Sequence, residues 1–204
     1  MNWLAHIFIS ENPIDYQLGN LLADPLKGKV WKGCSEKFAQ GINMHACIDS
    51  FTDRHPCVIR SKSRLGAHGY LRGAVVDIAY DYLLLKNWDR FAKQNSDDFI
   101  DDFHAKASIA IDDYPEQASC FVRRLVQHQV LSSYESLSGV KTALQRLDKR
   151  LSDRVLVKES CHGYFTRLSA AIDKMDNDFL LFFPDLLNYF KSISDFTNKG
   201  SWIK

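Results

Sequence analysis

Between Gly41 and Arg54 the chain reads Gly-Ile-Asn-Met-His-Ala-Cys-Ile-Asp-Ser-Phe-Thr-Asp-Arg, a largely apolar, helix-compatible segment in which His45, Asp49 and Asp53 recur every four residues. That spacing puts the three on one helical face. An imidazole and two carboxylates stacked a turn apart can converge on one divalent cation, since both groups ligate Zn, Mn or Fe. Asn20 and Asp24 repeat the spacing in Gly-Asn-Leu-Leu-Ala-Asp, and Asp77 and Asp81 repeat it in Val-Val-Asp-Ile-Ala-Tyr-Asp. The second pair is the more telling. Like charges a turn apart repel, and the residues between them are apolar enough to suggest burial, so a positive group is expected beside them. Three such segments constrain the chain to a helical interior rich in carboxylate and imidazole.

The rest of the sequence carries helical periodicity without a convincing alternating strand. The first ten residues suit a short buried helix or an extended segment, with His6 read as a hydrogen-bonded core residue. Asn12 and Pro13 open a helix that Pro25 stops, which leaves Asp24 at the negative end of the helix dipole, where a cation or simple solvent exposure would offset the cost. Ser35 and Glu36 open the next helix, which Pro56 ends. Residues 54 to 72 hold Arg54, Arg60, Lys62, Arg64, Arg72, His55 and His68 and no acidic residue, with Gly66, Gly69 and Gly73 as punctuation. This stretch reads as a solvated basic loop or as a source of charge for a phosphate or an acidic partner. Lys27, Lys29, Lys32 and Lys37 likewise sit in an expected solvated loop.

A strong helix is expected over Val75 to Phe91, then helices from Ser96 to about Ile111, from Pro115 to about Ser132, around Tyr134 to Leu151, and a long one from Ser152 or Lys158 through Phe183, where Pro184 can kink it. The expected architecture is all-α, a single domain over residues 1–204 built as a compact bundle of about seven to nine helices. Residues 1–92 carry the site, 93–191 serve mainly as scaffold, and 192–204 form a fraying tail.

Composition narrows the function. With 46% hydrophobic and 25% charged residues the chain is an ordinary globular protein, and a net charge of +1 argues against a dedicated nucleic-acid binder. Five widely spaced cysteines contain no Cys-x-x-Cys pair and read as free thiols of a reducing compartment. No stretch reaches the roughly 18 apolar residues of a membrane span, and the N-terminus lacks a signal peptide's basic region, so no membrane association and a cytoplasmic location are expected. Nucleotide-binding glycine loops, a Gly-x-Ser-x-Gly elbow and a His-Glu-x-x-His helix are all missing. A polar helical interior beside a basic segment suits metal-assisted hydrolysis of a phosphate ester.

The opening Met-Asn-x-Leu-Ala-His6, then Gly19-Asn20-Leu-Leu-Ala-Asp24, Gly41-Ile-x-Met-His45, Ile48-Asp49, Thr52-Asp53, and Asp77 with Asp81, together resemble the bacterial acyl carrier protein phosphodiesterase family. The resemblance covers roughly the first ninety residues. It implies an HD-like, all-helical metal phosphohydrolase that removes 4′-phosphopantetheine from holo acyl carrier protein, with Mn2+ favoured over Mg2+, Fe2+ or Co2+. One departure stands out: the chain has no adjacent His-Asp dipeptide, the signature of the standard HD site. On physical grounds His45, Asp24 and Asp77 are the first candidate ligands and His6 the next, with Asp49 or Asp81 as a further ligand or as general base. Arg54, Arg60 and Arg72 are candidates for phosphate contact, and Lys27, Lys29, Lys32 and Lys37 for docking an acidic carrier. Two other readings compete. One is an HD-like hydrolase of nucleotides or other small phosphodiesters; the other is a non-catalytic helical module that binds an acidic carrier and uses its buried polar groups as structural networks.

Overall fold

The computed structural model describes residues 1–193 and 202–204. Eleven α-helices follow in chain order: α1 (Trp3–Phe8), α2 (Ile14–Leu22), α3 (Glu36–Arg54), α4 (Pro56–Arg64), α5 (Arg72–Lys86), α6 (Trp88–Phe91), α7 (Ser96–Ala110), α8 (Glu116–Gln127), α9 (Leu137–Asp148), α10 (Asp153–Leu156) and α11 (Phe165–Ile193). Among the described residues there is no strand, only an isolated bridge between Ala92 and Ile203. The all-α class is as expected. The count exceeds seven to nine partly because α6 and α10 are single four-residue turns. No helix among the described residues is long and apolar enough to cross a membrane.

Local signals explain most boundaries, and where expectation differs a specific cap decides. Ser35 Oγ accepts from the Phe38 amide at 3.1 Å and starts α3 as its sequence indicates. Asn12 does not cap α2; Pro13 occupies the N-cap position without a side-chain cap. The basic stretch after Arg54 is not a loop throughout. His55 ends α3 and then caps α4 by accepting from the Cys57 amide at 3.3 Å, while Pro56 sits at the first position of that helix, where its missing N–H costs nothing. The helix expected over 75–91 starts at Arg72 and breaks at Asn87, whose amide nitrogen donates to the Leu83 carbonyl and to Asp176. Asn95, not Ser96, caps α7 by accepting from the Asp98 amide at 2.7 Å. The long final helix begins at Phe165, and Pro184 lies inside it.

The core gathers around α11. Phe179 and Phe183 stack at 5.0 Å, Phe91 meets Phe183 edge-on at 4.8 Å, and Tyr80 meets Phe179 at 5.2 Å, which ties α5 and α6 to the long helix. The chain end joins this core. Trp202 is buried, and its indole N–H donates to the Phe8 carbonyl at 2.8 Å; Lys93 and Lys204 amides pair with the Trp202 and Phe91 carbonyls. The expected fraying therefore does not apply at 202–204, where a buried aromatic outweighs terminal entropy, while 194–201 lie outside the described residues.

Two contacts hold the site-bearing half together. Helices α2 and α3 cross at Gly19 and Gly41, where a Cβ on Gly41 would run into the Tyr16 carbonyl and the Asn20 amide, and one on Gly19 into the Phe38 carbonyl. On the other side, the 2%-exposed Asp178 of α11 accepts from Arg60 Nε at 2.6 Å, Arg64 Nε at 2.7 Å and Ser61 Oγ at 3.1 Å. Burial opposes ionisation of Asp178, but the two guanidiniums and the hydroxyl hold it below the ordinary carboxylate range.

Gly41→Ala is expected to destabilise the fold by about 1–3 kcal/mol through overpacking and to separate α2 from α3, read by denaturant melts and near-ultraviolet circular dichroism. Asp178→Asn should lower the thermal midpoint by about 5 °C at neutral pH. Because the folded-state pKa of Asp178 is depressed, its stabilisation is present above the unfolded carboxylate value of about 3.9 and lost as pH falls toward the folded value. The gap between wild type and variant should accordingly shrink below about pH 4. A gap independent of pH would contradict the assignment.

Candidate metal centre and active-site cleft

The close crossing of α2 and α3 sets Asn20 between two imidazoles. Its Nδ2 donates to the His6 carbonyl at 3.0 Å and to Ser10 Oγ at 2.9 Å, which leaves its Oδ1 as an acceptor for His6 Nδ1 at 2.8 Å. Its backbone carbonyl, 2.8 Å from His45 Nδ1, can only accept. Both Nδ1 atoms are thereby assigned as donors, and in the neutral rings both Nε2 atoms carry the lone pair. The rings stack with centroids 4.0 Å apart and 14° between planes.

Both Nε2 atoms face acceptors. His6 Nε2 lies 3.2 Å from Asp49 Oδ1 and 3.1 Å from the Met1 carbonyl; His45 Nε2 lies 3.2 Å from Asp49 Oδ2 and 3.3 Å from Asp24 Oδ1. Although those carboxylates are within ion-pair distance of His45 Nε2, the buried atom makes no hydrogen bond. Lone pairs aimed at carboxylate and carbonyl oxygens repel unless a positive species lies between them. A proton or a metal cation would satisfy the arrangement, and ligand atoms of His6, His45 and Asp49 all lie within 4.8 Å of one another. This donor set of two nitrogens and a carboxylate fits a first-row divalent cation, with Asp24 within reach as a fourth ligand.

The electrostatics agree. Burial opposes charging of both histidines; at His45 the carboxylates of Asp24 and Asp49 outweigh it and raise the pKa to about 9, whereas at fully buried His6 it prevails and lowers the value to about 4. Burial also works against Asp49, but His45, His6 and the terminal amine drive it far below the usual range. The neighbouring His45 lowers Asp24. The buried Met1 amine bridges Asp49 and Asp77 at 3.2 Å each; the two carboxylates overcome its burial and raise it to about 10. It is the positive group expected beside Asp77.

Several expected residues lie elsewhere. Asp81 is fully buried and accepts from the Leu4 amide at 3.0 Å, the Ala5 amide at 3.1 Å and Asn2 Nδ2 at 2.9 Å. It caps α1, the helix that carries His6, and its burial raises its pKa to about 7 against the opposing backbone donors. Asp53 shares a face with His45 and Asp49 yet pairs with Lys62 at 2.7 Å on the exposed far turn. Arg54 folds back on Ser50, Arg60 is held by Asp178, and Arg72 donates to the Gly66 and Gly69 carbonyls, so none of the three is brought to the imidazoles. Lys27, Lys29 and Lys32 are exposed in the segment after Asp24, while Lys37 pairs with the buried Glu11 at 3.5 Å.

Met1, Asp24 and Asp77 line a cleft of about 790 Å³ together with residues of α8 and α9. That volume falls among small-molecule sites of about 300–1,000 Å³. Asn20 was visible in its motif, although its double role was not. The contribution of α8 and α9, expected to be scaffold, had no signal in residue spacing.

A family model described as acyl carrier protein phosphodiesterase matches residues 1–186. An acyl carrier protein phosphodiesterase of Photorhabdus laumondii is 32% identical over 155 residues, covering 74% of this chain and 77% of the relative. One from Yersinia enterocolitica is 36% identical over 112 residues, 53% of this chain and 56% of the relative, and one from Yersinia pestis is 25% identical over 191 residues, 92% and 96%. No solved structure matches. With a family match that extends through α8, α9 and most of α11, well beyond the N-terminal motifs, the chain belongs to the acyl carrier protein phosphodiesterase family.

Proposed function

We propose that this chain hydrolyses the phosphodiester joining 4′-phosphopantetheine to its serine on holo acyl carrier protein, releasing the apo carrier. The observation that carries the reading is the convergence of His6 and His45 Nε2 on Asp49 beside a cleft large enough for a pantetheine arm. Membership of the family supports the substrate.

His6, His45 and Asp49 would hold a divalent cation, with Asp24 completing the set, and we favour Mn2+ over Mg2+, Fe2+ or Co2+. When bound, such a cation lowers the pKa of a water and polarises a phosphoryl oxygen. Asn20 keeps both imidazoles in the ligating tautomer, and Asp81 anchors the helix that presents His6. Asp77 faces the cleft and is shifted upward by burial, which suits a carboxylate that accepts a proton from the attacking water. Water adds to phosphorus, the bond from phosphorus to the serine oxygen breaks, and that oxygen leaves with a proton as the carrier's hydroxyl. Exposed Lys27, Lys29 and Lys32, which follow Asp24 in a segment turned by positive φ at Lys27 and Gly28, would meet the acidic carrier.

Intact-mass spectrometry of holo carrier incubated with the protein and Mn2+ should record loss of the phosphopantetheine mass. A chelator should stop it, and His45→Ala should slow it by at least about 100-fold. A triple Lys27→Ala, Lys29→Ala, Lys32→Ala variant should raise KM about 10-fold with kcat retained and flatten the salt dependence. An unchanged holo carrier under all four metals would overturn the assignment. If nucleotides or small phosphodiesters were turned over instead, the chemistry would stand with a different substrate.

A further inference from the structure

With the phosphate of the phosphopantetheine arm at the imidazole cluster, the rest of the arm must leave that point along the protein. The cleft begins there. Asp24 Oδ1 lies 3.3 Å from His45 Nε2, the Met1 amine lies 3.2 Å from both Asp49 and Asp77, and Met1, Asp24 and Asp77 all line the cleft. Beyond them much of the wall is apolar: Trp3 meets Phe121 of α8 edge-on at 5.1 Å, and Ile78, Leu125 and Leu147 add to it. One polar group in this wall is left unmatched. Ala143, Arg146 and Leu147 share the face of α9 that lines the cleft, which sets the Arg146 guanidinium among apolar neighbours. Its Nη1 is shut off from water and makes no hydrogen bond; among the described residues no other arginine short of full exposure leaves a nitrogen so. Want of an ion-pair partner is common and means little. A guanidinium N–H that reaches neither an acceptor nor solvent is costly, and an acceptor brought into the cleft would remove that cost.

We propose, resting on the phosphodiesterase reading for the identity of the ligand, that the cleft seats the pantetheine part of the arm and that Arg146 Nη1 donates to one of its amide carbonyls. Arg146 then selects the arm. Beyond its phosphate the arm carries two amide carbonyls, a hydroxyl, and methyl and methylene groups. A carbonyl oxygen gives the buried donor its acceptor, and the hydrocarbon suits a wall that is largely apolar. The phosphate itself stays at His6, His45 and Asp49, so one extended ligand occupies both places. A charged donor closed off from water discriminates strongly against a ligand that lacks the acceptor, because the donor is then left unmatched.

The test compares two carriers under Mn2+, one with the natural arm and one whose serine phosphodiester holds an unbranched alkanethiol arm of the same length, without amides or hydroxyl. Wild type should cleave the natural arm with kcat/KM at least about 10-fold higher. Arg146→Met, which keeps the aliphatic stem, should lower kcat/KM for the natural arm about 10-fold, leave the alkyl arm unchanged and not lower the thermal midpoint, since it removes an unmatched donor. Arg146→Lys, which keeps the charge without the planar fork, should reduce the preference as well. Equal kcat/KM of wild type on the two arms, or wild-type preference in the variants, would overturn the proposal. A second readout needs no turnover: with the full-length protein in chelator, ligand-observed magnetic resonance should detect pantetheine bound to wild type and not to Arg146→Met. Cleavage of both carriers at equal rates would remove the Arg146 contact and leave the function. Arg146-dependent binding of pantetheine with neither carrier cleaved would do the reverse.

Discussion

The site depends on how closely two helix backbones approach. Gly19 and Gly41 let α2 and α3 meet without intervening side chains, and that approach places Asn20 where its side chain reaches His6 and its carbonyl reaches His45. A Cβ on Gly41 would collide with the Asn20 amide itself. One residue thereby sets the protonation pattern of two imidazoles on different helices, and hence the direction in which both lone pairs point. The packing of α2 on α3 and the chemistry at His6 and His45 are the same fact seen at two scales.

Around that pair the carboxylates divide by environment. Asp49 lies between both rings and the terminal amine and is strongly stabilised as an anion. Asp24 is held by His45 but its side chain is 74% exposed, which leaves it free to meet a ligand arriving from solvent. Asp77 borders the cleft, and Asp81, four residues further along the same helix, is turned into the protein to hold the start of α1. Residues four apart on one helix thus meet different surroundings, one the cleft and the other the start of α1. On the opposite flank Asp178 draws Arg60 and Arg64 inward and secures α4 against α11, which accounts for a basic segment that takes no part in the cleft.

The cleft brings together residues from both halves of the chain. Met1, Trp3, Asp24 and Asp77 line it from the N-terminal part of the chain, and Arg124 of α8, Arg146 of α9 and Arg150, just past the end of α9, line it from the rest.

Much of this was legible in the chain. Apolar periodicity and local caps announced an all-helical fold, and four-residue spacing singled out the segments that hold His45, Asp49, Asn20, Asp77 and Asp81. Spacing also nominated Asp53, and a run of one sign nominated Arg54, Arg60 and Arg72; the structure places none of these at the imidazoles. Helical spacing specifies direction about a helix's own axis but not which turn a neighbour covers. Asp53 points the same way as Asp49, yet its turn lies beyond α1 and meets Lys62 instead. Nor can a run of charge reveal whether an acid from a distant helix will claim it, as Asp178 does 118 residues after Arg60. The sequence by itself determined the helices, their polar faces and the family motifs, because those depend on neighbours within a turn or two. Only the tertiary structure decided which polar faces meet and which arginines stay unpaired, because those depend on packing between segments a hundred residues apart.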